Sequence, residues 1–286
     1  MGLDVIFWLI ILFMILWPQI QHKNLVYSRL NLIKKLENKR KSRVITLIHR
    51  QERIGLFGLP IFKFIDIEDS EDVLRAIRMT PNEMPIDLII HTPGGLVLAA
   101  AQIAFALRDH EGPTTVIVPH YAMSGGTLIA LAADKIIMDP HAVLGPVDPQ
   151  LAYSGGALPA ASIIKAVEIK GEKKVDDETL IQADVARKAI RQVEDIVFKL
   201  LQGKMSDEKA REIARALAEG RWTHDYPITV EEAKALGLPV EVGVPDEVYK
   251  LMAMYPQTHQ LRPGVEFIPM PYPAPHPSSS NHNRGK

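Results

Sequence analysis

Two glycine-rich turns carry the residues best suited to chemistry. The first reads His91-Thr92-Pro93-Gly94-Gly95, and the second reads Ala122-Met123-Ser124-Gly125-Gly126-Thr127. Each follows a short apolar run and opens a helical stretch, so each offers unpaired backbone N–H groups at the positive end of a helix dipole. Two such donors converging on one point are what a developing oxyanion needs. Glycine lets the backbone approach a substrate carbonyl with no Cβ in the way. Ser124 starts the second helix, where its hydroxyl either reaches the same point or simply caps the helix. To act as a nucleophile it needs a base. Phosphate binding would use similar turns, but the Gly-Lys-Ser/Thr of a P-loop is missing, and Gly94-Gly95-Leu96 does not make the dinucleotide G-x-G-x-x-G pattern.

The elements around these turns alternate. RVITLIHR (43–50), IFKFIDI (61–67), IDLIIH (86–91), TTVIVPH (114–120) and KIIMD (135–139) read as strands. EDVLRAIRM (71–79), LVLAAAQIAFALRDH (96–110), SGGTLIALAA (124–133), 177–202 and 207–219 read as helices. Strands alternating with helices predict an α/β fold with a mainly parallel sheet.

The chain of 286 residues is 47% hydrophobic and 23% charged, which suits a globular core and excludes wholesale disorder. With Lys+Arg at 33 and Asp+Glu at 34, it has no electrostatic footprint for nucleic acid. The absence of cysteine excludes disulfides, thiolate catalysis and Cys-zinc or iron–sulfur sites. Residues Leu3–Ile20 hold one charge, Asp4, and as a helix would span about 27 Å at roughly 1.5 Å per residue. No basic residue precedes this run, and Pro18-Gln19-Ile20-Gln21 makes a poor cleavage site, so a membrane anchor is expected rather than a signal peptide. Lys23, Arg29, Lys34, Lys35, Lys39, Arg40, Lys41 and Arg43 all follow it, which places the body in the cytoplasm by the positive-inside rule. The expected organisation is an anchor (1–21), a basic juxtamembrane linker (22–42), an α/β domain (43–255) and a proline-rich disordered tail (256–286).

The strand–HTPGG–helix unit, Tyr121-Ala122-Met123-Ser124-Gly125-Gly126-Thr127 with the small-residue helix after it, and Ile136-Ile137-Met138-Asp139-Pro140 together resemble the Clp/crotonase fold. Gly145-Pro146-Val147-Asp148-Pro149-Gln150 and Gly220-Arg221-Trp222-Thr223-His224-Asp225-Tyr226-Pro227 sharpen the likeness. The chain is most similar to the membrane-bound serine dehydrogenase proteinase family, relatives of signal peptide peptidase A, over roughly residues 1 to 255. The resemblance implies a Clp/crotonase-like ββα superhelix behind one transmembrane helix and a homo-oligomeric serine endopeptidase acting on peptides; no cofactor is expected, and the anchor alone suggests membrane-protein fragments or loops near the bilayer as substrates. By matching positions, Ser124 is the nucleophile and the N–H groups of Gly95 and Gly125 form the oxyanion hole.

The stretch that matches the Clp histidine, Val143 to Pro149, holds no histidine, so the Ser-Lys dyad of the signal peptide peptidase branch fits better. A dyad lysine must lose its charge near neutral pH, which takes desolvation or a neighbouring cation. The resemblance favours Lys188, with Lys165 as the alternative; Lys170, Lys173 and Lys174 stand in a more charged setting. Helical spacing puts Ala186, Ile190, Val193 and Val197 on one apolar face and Lys188 opposite, so Lys188 serves only if its helix borders a cleft or a neighbouring subunit. His91 and His120 end strands beside the glycine turns, His224 sits in the family-like segment, and Ser154 reads as a loop serine. No histidine pair has the spacing of a metal site. Two other classes share these features. One is a crotonase-like acyl-CoA enzyme, which would not need Ser124; the other is a membrane scaffold without catalysis.

Overall fold

The computed structural model describes residues 2–49, 63–153 and 156–255. The proline-rich tail and Ser154 lie outside the described residues. A five-stranded sheet organises the domain, in the order β1 (Arg43–Ile48), β2 (Ile86–His91), β3 (Thr114–Val118), β5 (Lys135–Met138), β9 (Val240–Val242), and all neighbours run parallel. Cover on both faces explains why the central strands are mostly apolar, with Asp87 a buried exception. Leu88, Ile90, Val116, Val118, Ile136 and Met138 face one core cluster, while Ile89, Ile117 and Ile137 face another.

The first cluster is covered by α2 (Ile67–Arg78), α3 (Val97–Arg108), α4 (Gly125–Ala132), α6 (Asp177–Leu201) and α7 (Asp207–Ala218). The second is covered by the end of α1 (Gly2–Arg40) and by α9 (Asp246–Ala253), through Leu36, Val248, Leu251 and Met252. Residues 22–40, most of the basic stretch 22–42, continue α1 without a break. The helix stops at Lys41, which takes φ 56° and returns its N–H to the Glu37 carbonyl at 2.8 Å. Its last turn is tied down twice: Arg40 gives Nε and Nη2 to the buried Asp87 at 2.6 and 2.8 Å, and Lys39 pairs with Glu247 at 3.0 Å.

A second, smaller layer lies beyond the strand ends. Thr92 bridges Ala122, β4 (Tyr121–Ala122) pairs in parallel with β6 (Val143–Leu144), and Leu144 bridges Ile228. β2 and β3 thus each run on into a short crossing piece before the helix that follows, α3 and α4 respectively. The predicted strand over 61–67 is reduced, among the described residues, to one bridge between Ile65 and Gly95. A hairpin of β7 (Gln150–Tyr153) and β8 (Gly156–Pro159) leads into α5 (Ala160–Lys170), and α8 (Val230–Ala235) precedes β9.

Candidate active site

Ser124 occupies the tight turn between β4 and α4 with φ 50° and ψ −116°. Among the described residues, only Lys41 shares a positive φ without being glycine. Such strain persists where the surroundings enforce it, and a strand-to-helix elbow of this kind pushes a side chain outward. Here the N–H of Gly126 closes onto the Met123 carbonyl at 2.7 Å, and those of Thr127 and Leu128 onto the Ser124 carbonyl at 2.9 and 3.2 Å. The Ser124 side chain makes no capping bond and is half-buried. Helix capping, the alternative left open by the sequence, therefore does not account for this serine.

The first glycine turn is packed against the second. A Cβ on Gly94 would stand 2.7 Å from the Ser124 Cβ and 3.2 Å from the Gly125 nitrogen; a Cβ on Gly125 would stand 3.5 Å from the Gly95 nitrogen. Gly94 gives its carbonyl to the Ile65 N–H at 2.8 Å. Across a trans peptide the next N–H points the opposite way, so Gly95 turns its donor away from Ile65. The Gly125 N–H opens α4 and has no partner within the helix. Neither N–H is taken up by another backbone group among the described residues. Two free donors beside one half-buried hydroxyl make a pocket for a tetrahedral oxyanion.

Thr127 locks the rest of the elbow. Its Oγ1 lies 2.8 Å from the carbonyls of Ala122 and Gly145 and accepts the Gly145 N–H at 3.0 Å. This fastens the loop after β6 onto the nucleophile turn, where Gly145 packs against Met123.

The two lysines fall elsewhere. Lys188 has a side chain 59% exposed, with Nζ 2.5 Å from Asp184 one turn away, and its ammonium holds the Asp184 carboxyl below its usual range. Lys165 is 68% exposed and pairs with Glu168 at 3.2 Å. Neither bonds to Ser124 in the single chain. Helix α6 does border a groove of about 440 Å³, lined by Val97, Pro149, Gln150, Ala189 and Gln192 among others, which begins two residues past Gly95.

One pair was not assembled from the sequence. The Nδ1 of His224 lies 2.8 Å from Oδ1 of Asp148, and the other oxygen of that carboxylate accepts the Gln150 amide at 2.6 Å. Asp148 is buried, while a third of the His224 side chain is exposed. The signal was there in part: both residues stand in the two segments that sharpened the family likeness, but nothing in their spacing paired them. His91 is buried with its ring against Tyr121 at 4.2 Å and edge-on to His120 at 5.5 Å. Among the described residues, no cluster of His, Asp and Glu is arranged to hold a metal ion.

The family profile described as a ClpP-like SDH-type serine proteinase matches residues 1–282. An uncharacterized protein of Methanocaldococcus jannaschii is 64% identical over 268 residues, covering 94% of this chain and 92% of its own. A second from the same organism is 56% identical over 271 residues, covering 95% and 91%. Among solved structures, an alanine mutant of the 1510-N membrane-bound stomatin-specific protease is similar at 22% identity and TM-score 0.45, over 65% of this chain and 79% of that one.

Proposed function

From its place in the ClpP-like SDH-type serine proteinase family, to which this chain belongs, we propose a membrane-anchored serine endopeptidase whose nucleophile is Ser124. The observation that carries the reading is the strained, uncapped Ser124 beside the two free N–H groups of Gly95 and Gly125. Ser124 Oγ attacks the peptide carbonyl, and its proton passes to a base. The carbonyl oxygen takes the negative charge between the two N–H donors. Collapse of the tetrahedral adduct expels the amine, which receives the proton, and water then hydrolyses the acyl-enzyme.

The base is assigned to Lys188. Its helix lines the groove that reaches Val97, two residues past Gly95, and Ala189, the next residue, is part of that lining. The amine must first leave Asp184 and lose water, which a bound peptide or a second copy of the chain over the groove would bring about. A second reading is favoured by the bond between His224 and the buried Asp148. A carboxylate that fixes one imidazole nitrogen leaves the other as a base, the logic of a Ser-His-Asp triad. The register supports it, because Leu144 pairs with both Ala122, two residues before Ser124, and Ile228, four after His224.

Among the described residues no helix is long and apolar enough to cross a membrane. Attachment to the bilayer is supported by the apolar run Leu3–Ile20 and by exposed Phe7, Trp8, Leu12, Phe13, Leu16, Trp17 and Ile20 along the first half of α1. The basic residues beyond it favour a cytoplasmic body.

The test is a fluorophosphonate probe on the detergent-solubilised full-length protein, with peptide mapping. Labelling at Ser124, lost in Ser124→Ala, supports the nucleophile; a folded wild type without label refutes it. Loss of labelling in Lys188→Ala with His224→Ala still reactive supports the dyad, and the reverse supports the triad.

A further inference from the structure

We propose that Thr92, set by a hydrogen-bonded chain through His49 to Asp69, is the positioning residue that aligns the oxyanion turn with the nucleophile elbow. The inference rests on the Ser124 reading and adds residues to its machinery. Thr92 is fully buried and bonds to both halves of the site. Its backbone carbonyl accepts the Met123 N–H at 3.0 Å, and its own N–H donates to Tyr121 at 3.2 Å, which fixes the residue just before Ser124. Its hydroxyl oxygen accepts the Gly94 N–H at 3.2 Å, which fixes the residue just before Gly95. With the Gly94 carbonyl already held by Ile65, both ends of Gly94 are tethered, and the direction of the Gly95 N–H follows.

The hydroxyl accepts through a lone pair and has two outlets for its own proton, His49 Nδ1 at 2.9 Å and, at the longer distance of 3.4 Å, the Gly94 carbonyl. His49 Nε2 lies 3.1 Å from Asp69 Oδ2. With Asp69 ionised and the imidazole neutral, the carboxylate takes the Nε2 proton, which leaves Nδ1 as the acceptor of the Thr92 proton. In that tautomer the donors run Gly94 N–H to Thr92, Thr92 O–H to His49, His49 N–H to Asp69. His49 is itself 5% exposed and anchored by its N–H to the His91 carbonyl at 2.7 Å. Asp69 is anchored in turn by the Asp66 N–H at 3.0 Å, at the start of α2 and next to Ile65, the residue that grips the glycine turn. Packing alone would be satisfied by valine at 92; the hydroxyl adds the bond that holds the Gly94 N–H.

The experiment measures fluorophosphonate inactivation of the full-length protein, separating the maximal labelling rate from the probe concentration at half-maximal rate. Thr92→Val and His49→Phe are expected to lower the maximal rate about 10- to 100-fold, with half-saturation unchanged within about threefold, as for a misaimed oxyanion donor. Thr92→Ser, which keeps the hydroxyl, is expected to stay within about threefold of wild type. If Thr92→Val does not fold, Asp69→Ala at the half-exposed end of the chain replaces it, with an expected drop of about fivefold. Folded Thr92→Val or Asp69→Ala that labels at the wild-type rate overturns the inference, as does a loss in half-saturation alone. A folded wild type that never labels at Ser124 refutes the nucleophile itself, a result separable from either.

Discussion

Gly94 and Ser124 stand so close that a Cβ added to the glycine would lie 2.7 Å from the serine Cβ. The two turns that the site requires are therefore one packed unit, and the serine's unusual backbone is enforced by contact with its neighbour. The φ of Gly94, 108°, is also one that side-chain-bearing residues avoid. Gly94→Ala is expected to lower the fluorophosphonate labelling rate at Ser124 at least about 100-fold and to cost about 1–3 kcal/mol of stability. Rate and denaturant midpoint, measured on one preparation, check both.

Ser124 itself should show the strain. At φ 50° and ψ −116°, alanine keeps the penalty of a Cβ and glycine removes it. Ser124→Gly is expected to be about 1 kcal/mol more stable than Ser124→Ala, although neither is labelled. Urea unfolding of the two variants decides it; equal stabilities would mean that the elbow is relaxed.

The glycine turns, their place after β2 and before α4, and the two-sided sheet were legible because each depends on local pattern. Apolar runs such as Ile86–Ile90 are buried on both faces, and glycine marks the close approaches. The crossing layer was not legible. Its strands, Tyr121–Ala122 and Val143–Leu144, are two residues long, too short for any period to show. Helix α5 was hidden by a start on Pro159 without a side-chain cap. Thr92, His49 and Asp69 lie on separate elements, as do Asp148 and His224, so only folding brings them together. The base stays the least legible part of the site. Family likeness points to Lys188 while its helical face argues against it, and the chain alone leaves it 59% exposed on Asp184.

The clamp between Arg40 and Asp87 ties the long N-terminal helix to the sheet. Asp87 is 2% exposed and receives two guanidinium bonds and the Ser42 hydroxyl. Removing the guanidinium leaves a buried carboxylate short of its main partner. Arg40→Met is expected to cost about 3 kcal/mol, the lower end for a buried pair because a quarter of the arginine is exposed. Thr127→Val should cost less, about 1–3 kcal/mol, since it strands the buried Gly145 N–H without stranding a charge. A denaturant series on both variants, with Arg40→Met the more damaged, is the expected ranking.

Lys204 supplies a pH dependence of known sign. The side chain's stem is exposed, but its amine turns inward onto the carbonyls of Leu131, Ala132 and Ala133, at the C-terminal end of the helix that Ser124 opens. Burial pushes its pKa down from the ordinary 10.5 to about 8, against the opposing pull of Asp134. Between those two values the unfolded chain holds the proton and the folded chain releases it. Stability attributable to this group therefore rises with pH across that window and is flat below it. The carbonyls still lose a donor in Lys204→Met, so the variant should be less stable throughout. The gap between wild type and Lys204→Met is expected to widen as pH rises from 8 toward 10.5. Thermal unfolding of the pair at matched ionic strength measures that gap, and a constant or narrowing difference would show that the amine remains charged against the helix end.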